Sequence, residues 1–360
     1  MNILVCNAGS TSLKFCFYEM PSERIIASQK QERVTDYESG IRSFLGTIPD
    51  VSVDAVGFKT VLSKDHYGVH LIDEDVIRGM EEYMVVAPAH NTFYLKAIRT
   101  FQKVMPGVPL VGVFETAFHQ TIPEENYLYP LPYEWYEKYG IRKFGYHGAS
   151  HGYVAENLTR ELGPEYRAVS CHLGGSSSVT AIVNGKSFDT SFGMSLQCGV
   201  PQSNRCGDFD PFLIFFLHEE AGLSYDEIRE ALEKKSGLLG ISGVSNDLRD
   251  IEAAAEQGDH RARLAIDMYI RDVAGTIGRY AAMMGGLDAV AFTGGIGEKS
   301  STVREGVLQR LAFLPELKVF VIPANEELGV ARRSYACMQE RIRKEIMDAV
   351  RKYRIQEDRK

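Results

Sequence analysis

Polar residues gather in the middle of this chain more densely than a purely structural role requires. Glu115 closes the apolar run from Pro109 to Phe114 and is soon followed by His119, and then comes Phe144-Gly145-Tyr146-His147-Gly148-Ala149-Ser150-His151. Two histidines four apart share one face of a helix that begins early enough, and such a pair can bind a metal. His147 sits in a glycine-flanked turn, however, which suits contact with a phosphate or a carboxylate better than zinc. His151, taken alone, serves equally well as a core histidine satisfying backbone groups. Further along, Ser203-Asn204-Arg205-Cys206-Gly207-Asp208 sets a lone arginine among small residues. That is a poor design for packing and a good one for gripping an anion with both arms of the guanidinium. Ser236 to Gly243, followed by Asp247-Leu248-Arg249-Asp250, is a glycine-rich loop with alternating charges; by itself it is a loop and a helix cap.

Three strand-to-turn junctions are the elements that must position these groups. The first runs from Ile3 through Asn7-Ala8-Gly9-Ser10-Thr11-Ser12 to Phe15. The second runs from Ala168 through His172-Leu173-Gly174-Gly175-Ser176-Ser177-Ser178 and on to Asn184-Gly185, a type I′ hairpin signal. The third is Ala289-Val290-Ala291-Phe292-Thr293-Gly294-Gly295-Ile296-Gly297-Glu298. The first two repeat one strand-turn-strand unit about 165 residues apart, which is the pattern of an internal duplication. Each turn alone is a tight hairpin. Three on one strand pattern, with backbone N–H groups pointing outward, make a phosphate-holding site. Ile266, Ile270, Val273, Ile277, Ala281 and Met284 predict a long helix ending at Gly285-Gly286, just before the third strand. Ile342, Ile346, Val350 and Tyr353 predict an amphipathic C-terminal helix packed back on the body. The charge of about +3 over residues 339–360 fits a solvated face.

Composition narrows the class. The 360 residues allow two domains, and 44% hydrophobic with 24% charged residues and a mean hydropathy of −0.17 are globular values. The apolar run Phe212 to Leu217 is far below the roughly 20 residues of a bilayer-spanning helix, and no signal peptide opens the chain. Forty basic against forty-eight acidic residues give −8, which argues against nucleic acid or an anionic membrane as partner. Six cysteines without a Cys-x-x-Cys pair fit free thiols in a cytoplasmic setting.

Taken together, these strings resemble the acetate kinase family, of the acetate and sugar kinase, Hsp70 and actin superfamily. The resemblance runs nearly end to end. Its most specific parts are Asn7 to Phe15, Val113 to Pro123, Tyr133 to His151, Ser236 to Gly243 and Phe292 to Glu298. It implies an α/β fold of two duplicated ribonuclease H-like (actin-type ATPase) domains with a cleft between them. The expected domains are 1–118, completed by a C-terminal helix 328–360, and 119–327 carrying the nucleotide site. The implied reaction is reversible transfer of the ATP γ-phosphoryl group to a short-chain carboxylate, giving ADP and an acyl phosphate, with Mg²⁺. Such transfer is mostly positioning and charge neutralisation.

By motif position, the resemblance makes Arg205, His147 and Glu115 catalytic and gives the metal to Asn7 and Glu326. Ser10, Ser12, Lys14, His172, Gly174, Gly175, Asp247, Arg249, Gly295 and Ile296 fall to the nucleotide, while Lys59, Val61, Ala89, Tyr146 and Leu196 fall to the acid. A homodimer is implied as well. Departures from the family pattern fall mainly on the acid's side. Lys59 stands for an arginine, keeping the charge and losing the fork, and Glu115 stands for an aspartate. Gly175 replaces an asparagine donor in the second turn, and Ala89, Tyr146 and Leu196 replace leucine, phenylalanine and proline. The chain is also short before Val53 and between Arg304 and Val319. The expectation is a carboxylate kinase whose preferred acid is other than acetate, larger or more polar. The alternative is a nucleotide-binding homologue that has lost transfer and serves a regulatory or partner role, against which the retention of Arg205, His147, Asn7 and Glu326 speaks.

Overall fold

The computed structural model describes residues 1–9, 12–85, 88–314 and 316–357; the side chains of 85, 88–90 and 352–357 lie outside that description. The chain forms two compact units, one of residues 1–117 with 325–360, the other of residues 118–324.

In the first unit, β1 (Asn2–Gly9), β2 (Ser12–Glu19) and β3 (Arg24–Glu32) form an antiparallel meander. β4 (Ala55–Thr60) and β6 (Leu110–Phe114) continue from β1 in parallel, and β5 (Val69–Leu71) closes the edge, giving the order β3-β2-β1-β4-β6-β5. In the second unit, β7 (Arg167–His172), β8 (Ser178–Val183) and β9 (Lys186–Thr190) form the meander. Beside β7 run β10 (Ala289–Thr293) and β11 (Lys318–Val321), both parallel, in the order β11-β10-β7-β8-β9. The five strands of the second sheet repeat five of the first sheet's six, a meander whose first strand is extended by two parallel strands; β5 has no counterpart among the described residues. This is the topology of the duplicated actin-type fold. Asn184 and Gly185, both at positive φ (52° and 77°), make the hairpin between β8 and β9.

Parallel crossovers must be covered by helices, and each sheet buries near-continuous apolar strands such as Ile3-Leu4-Val5-Cys6 and Ala289-Val290-Ala291-Phe292. Helix His260–Met283 lays Ile266, Tyr269, Ile270, Val273 and Ile277 into the core of the second unit. The C-terminal helix Glu326–Glu357 packs on β1, β4 and β6, but through Leu328, Val330, Ala331, Ser334 and Met338. Its approach needs Gly57 of β4, because a Cβ there would stand 2.3 Å from Ser334 Oγ. The expected stripe is solvent-facing instead. Ile346 is 58% exposed and Val350 47%, because by then the helix has run past the sheet, and Tyr353 lies outside the described side chains. The third glycine turn is the start of helix Gly294–Lys299 rather than an open loop.

Candidate active site

Three adjacent parallel strands deliver the first set of groups. Asn7 lies near the carboxyl end of β1, Lys59 near that of β4, and Glu115 just past β6, the end at which open α/β sheets gather ligands. Lys59 Nζ lies 2.9 Å from Glu115 Oε1 and 2.8 Å from Glu326 Oε2, the latter on the first residue of the C-terminal helix. All three side chains are largely buried. Asn7 Oδ1 accepts a hydrogen bond from Tyr94 Oη at 3.3 Å. Burial, then the charge of Glu326, push the Tyr94 hydroxyl's pKa up, which puts the Glu326 carboxylate within electrostatic range of Tyr94. Asn7 and Glu326 thus bring two oxygen donors to one region. That set fits Mg²⁺, which keeps most of its octahedron for water and phosphate. Val61 follows β4 and is buried. Lys14 reaches Glu327 at 2.8 Å, and Ser12 opens β2. Ser10 and the Ala89 side chain lie outside the described residues.

The second set lies in the second unit. A cavity of about 720 Å³ is lined by Gly174, Gly175 and Ser176, by Arg205, by Asp247 and Arg249, and by Gly295 and Ile296. Chain segments more than 100 residues apart are thereby gathered round one volume. The turns after β7 and β10 are clasped together, the N–H groups of Ile296 and Gly297 donating to the Leu173 carbonyl at 2.8 and 3.1 Å. Gly294 (φ 77°) permits that clasp, since a Cβ there would lie 2.7 Å from Leu173 O.

Arg205 is held by Nη1 donation to Ser176 Oγ (3.3 Å) and Gln202 Oε1 (3.2 Å). Among the described residues no carboxylate lies within ion-pair distance of it; burial works against its charge, and the more distant Glu233 carboxylate only partly offsets that. A half-buried cation with no carboxylate in contact is suited to receive an anion. Behind it, the glycine-rich string Ser236–Gly243 is a buttress. Leu238 and Leu239 N–H groups donate to Gln202 and Ser203 carbonyls at 2.8 and 2.9 Å. Asp247 and Arg249 pair on the rim, the guanidinium holding the Asp247 carboxyl at about 2.

His147 caps helix Gly148–Leu162 from outside, in left-handed backbone (φ 57°); the helix begins one residue too late for the two histidines to lie together on its face. Among the described residues no group of three or more His, Cys, Asp or Glu side chains is placed to hold a metal ion. Instead His147 Nδ1 and His151 Nε2 both meet Ser178 Oγ at 2.8 Å. The His147 ring lies 4.2 Å, centroid to centroid, from that of His172, whose Nδ1 meets Ser150 Oγ at 2.8 Å. Tyr146 is buried, with its hydroxyl donated to the Met194 carbonyl. Leu196 is at the margin of burial, its carbonyl accepting from Gln202 Nε2 at 2.7 Å.

Several residues that this site uses gave no signal in sequence. Gln202, fully buried, orients Arg205 and Ser176 together. Glu298 accepts the N–H groups of Gly294 (3.0 Å) and Ala324 (2.9 Å) on one carboxylate oxygen, Oε1. Asn246, Glu252 and Lys299 join the cavity wall. Outside this cavity, fully buried Asp189 pairs with Lys143 and Arg279.

The sequence profile of the acetokinase family matches residues 27–326. The chain belongs to the acetokinase family. It is 41% identical to an acetate kinase of Geobacillus kaustophilus, over 92% of this chain and 97% of that one. That alignment runs to 385 positions, more than this chain's 360 residues, so the relative carries segments missing here. Among solved structures, the acetate kinase of Porphyromonas gingivalis superposes with a TM-score of 0.86 at 34% identity, covering 94% of this chain and 99% of that one. A propionate kinase from Francisella tularensis superposes at 0.84 and 31%, covering 92% and 98%. Family membership makes this chain a phosphotransferase that acts on a carboxyl group.

Proposed function

We propose that this acetokinase transfers the γ-phosphoryl group of ATP to the carboxylate of a short-chain aliphatic acid. A carboxylate oxygen forms the new O–P bond as the bond from phosphorus to the ADP oxygen breaks, and the reverse step makes ATP from an acyl phosphate. The observation that carries this reading is Arg205, a cation with no carboxylate in ion-pair contact among the described residues, on the wall shared by the Gly174–Ser176 turn, Gly295 and Ile296.

In this reading the nucleotide lies along that wall, with adenine and ribose toward Asp247 and Arg249 and the phosphates toward His172 and Gly175. Arg205 and His147 donate to the phosphoryl oxygens as charge spreads over them. Asn7 and Glu326 would hold Mg²⁺, which would supply charge neutralisation at the phosphates. Lys59, held between Glu115 and Glu326, would turn to the acid's carboxylate as the metal takes Glu326 from it. Lys14, tied to Glu327, is left to orient the metal's side of the site rather than to reach a phosphate. Tyr146 spends its hydroxyl on Met194, so its ring is what is left to meet an acyl chain, which favours an apolar acid over a hydroxylated one.

Among the described residues no helix is long and apolar enough to cross a membrane, and all six cysteines are free, in keeping with a cytoplasmic enzyme. Helix Phe212–Glu219 exposes Phe212, Leu213, Phe215 and Phe216, a face suited to a homodimer. The loss-of-transfer alternative gains no support from the comparisons. Acids from acetate to hydroxylated and four-carbon acids, offered with ATP and Mg²⁺ and trapped as hydroxamates, test the proposal. Acyl phosphate from at least one acid is expected; none from any acid, while ATP binds, overturns it.

A further inference from the structure

His147 does not stand alone. Its Nδ1 meets Ser178 Oγ at 2.8 Å, the same oxygen meets His151 Nε2 at 2.8 Å, and His151 Nδ1 meets Ser170 Oγ at 2.8 Å. Ser170, Ser178 and His151 are all fully buried. Three short contacts in series, sealed from water, form a single hydrogen-bonded chain that ends on His147.

Ser178 has one hydroxyl proton and two lone pairs. Its oxygen meets only these two rings among the described residues, so the proton goes to one ring and the other ring donates, which leaves two polarities. If it accepts from His151 Nε2–H, it donates to His147 Nδ1, and a neutral His147 carries its proton on Nε2. If it runs the other way, His147 carries its proton on Nδ1, and Nε2 presents a lone pair. Burial drives the pKa of His151 well below that of an ordinary imidazole, with the neighbouring His119 and His172 adding to the effect, so its ring supplies one donor and one acceptor only. The left-handed backbone of His147 fixes where its ring starts, and the His151 N–H bond to the His147 carbonyl (2.9 Å) ties the two residues through the main chain.

We propose that Ser178 and His151 are positioning residues for His147, holding its ring as the neutral tautomer with the proton on Nε2. Only this polarity serves phosphoryl transfer, because a phosphoryl oxygen is attracted to an Nε2–H and repelled by a lone pair. The buried chain thereby provides the donor before substrate arrives, without spending a proton from solvent. Ser178 touches no substrate in this scheme and acts only through the ring it orders. The inference rests on the proposed phosphoryl-transfer role of His147, but the state of the ring can be measured without any turnover.

The full chain labelled with ¹⁵N at histidine, observed by long-range ¹H–¹⁵N correlation near neutral pH, reports the protonated nitrogen of each ring; a His147→Gln sample assigns the signal. Nε2–H at His147 is the expected result, and Nδ1–H or an averaged pair of tautomers overturns the inference. Kinetics give a second reading. Ser178→Ala should lower kcat by about 10-fold or more while the KM for ATP stays within about two-fold, and Ser178→Thr, which keeps the hydroxyl, should recover most of it. An Ala variant with the parent's kcat overturns the inference, as does a loss that Thr does not reverse although it folds. Should the unmodified chain make no acyl phosphate, the functional proposal falls, and the tautomer measurement still decides the network.

Discussion

Lys59 and Glu326 lie 267 residues apart in sequence and meet at 2.8 Å. The C-terminal helix returns to the first sheet, and its opening carboxylate is neutralised by the strand it lands beside. Lys59 also faces Glu115, whose side chain is 5% exposed and has no other cation in ion-pair range among the described residues. Removing one partner of a buried pair strands the other charge, at about 3–5 kcal/mol. Lys59→Gln should therefore lower the thermal midpoint strongly, and Lys59→Gln with Glu115→Gln should recover the part of the loss due to Glu115, Glu326 remaining unneutralised. If the double variant is as unstable as the sum of the singles, the two do not form a charge pair.

Gly175 offers a gain. A Cβ there would meet only Ser203 Oγ, at 3.8 Å, in ordinary contact, and the residue lines the cavity given to the nucleotide. Gly175→Asn should fold normally and add one donor, tightening ATP by about 2- to 10-fold, the worth of a single hydrogen bond. Gly294→Ala, at φ 77° and 2.7 Å from Leu173 O, should instead cost about 1–3 kcal/mol and weaken ATP. Calorimetric titration of both variants separates them; equal effects would contradict the geometry.

His119 predicts a pH dependence of stability. Its Nε2–H donates to the Tyr146 carbonyl at 2.8 Å, its Nδ1 accepts from Ser187, and burial lowers its pKa to about 4. Above pH 6.5 the ring is neutral in both folded and unfolded chains. Between 6.5 and 4 the unfolded chain takes up a proton that the folded one refuses, so stability falls as pH falls. The penalty levels off below 4 at about 3 kcal/mol. Compared with His119→Gln, the parent should lose about 2–3 kcal/mol more between pH 7.5 and 4.5 in denaturant titrations. Parallel curves would show that this ring does not carry the effect.

The exposed helix Phe212–Glu219 bears on assembly. Phe212 is 73% exposed and Phe216 58%. Light scattering should give a mass twice that of the 40.2 kDa chain, and Phe212→Glu with Phe216→Glu should return it to that of one chain. A monomeric parent would remove this face from consideration.

Much of the fold was legible because its signals are local. Asn184-Gly185 specifies a hairpin by φ alone, and the three strand-to-glycine junctions announce the repeated sheet. The Arg205 loop declared itself by placing a charge among small residues. What escaped depends on contacts between distant segments. Gln202 became an orienting residue only once its loop folded over Ser176, and Asp189 is buried against Lys143 and Arg279 from two other elements. The stripe Ile342, Ile346 and Val350 misled for the opposite reason: its period is helical, but where the sheet ends is not written in that segment.

The most direct test of the central claim is the rate of hydroxamate formation by the unmodified chain and by Arg205→Ala, at saturating ATP, Mg²⁺ and the best acid. The account predicts a measurable rate for the parent and a fall of about 100-fold or more for the variant, with ATP affinity within a few-fold. A variant that keeps the parent's rate would contradict it.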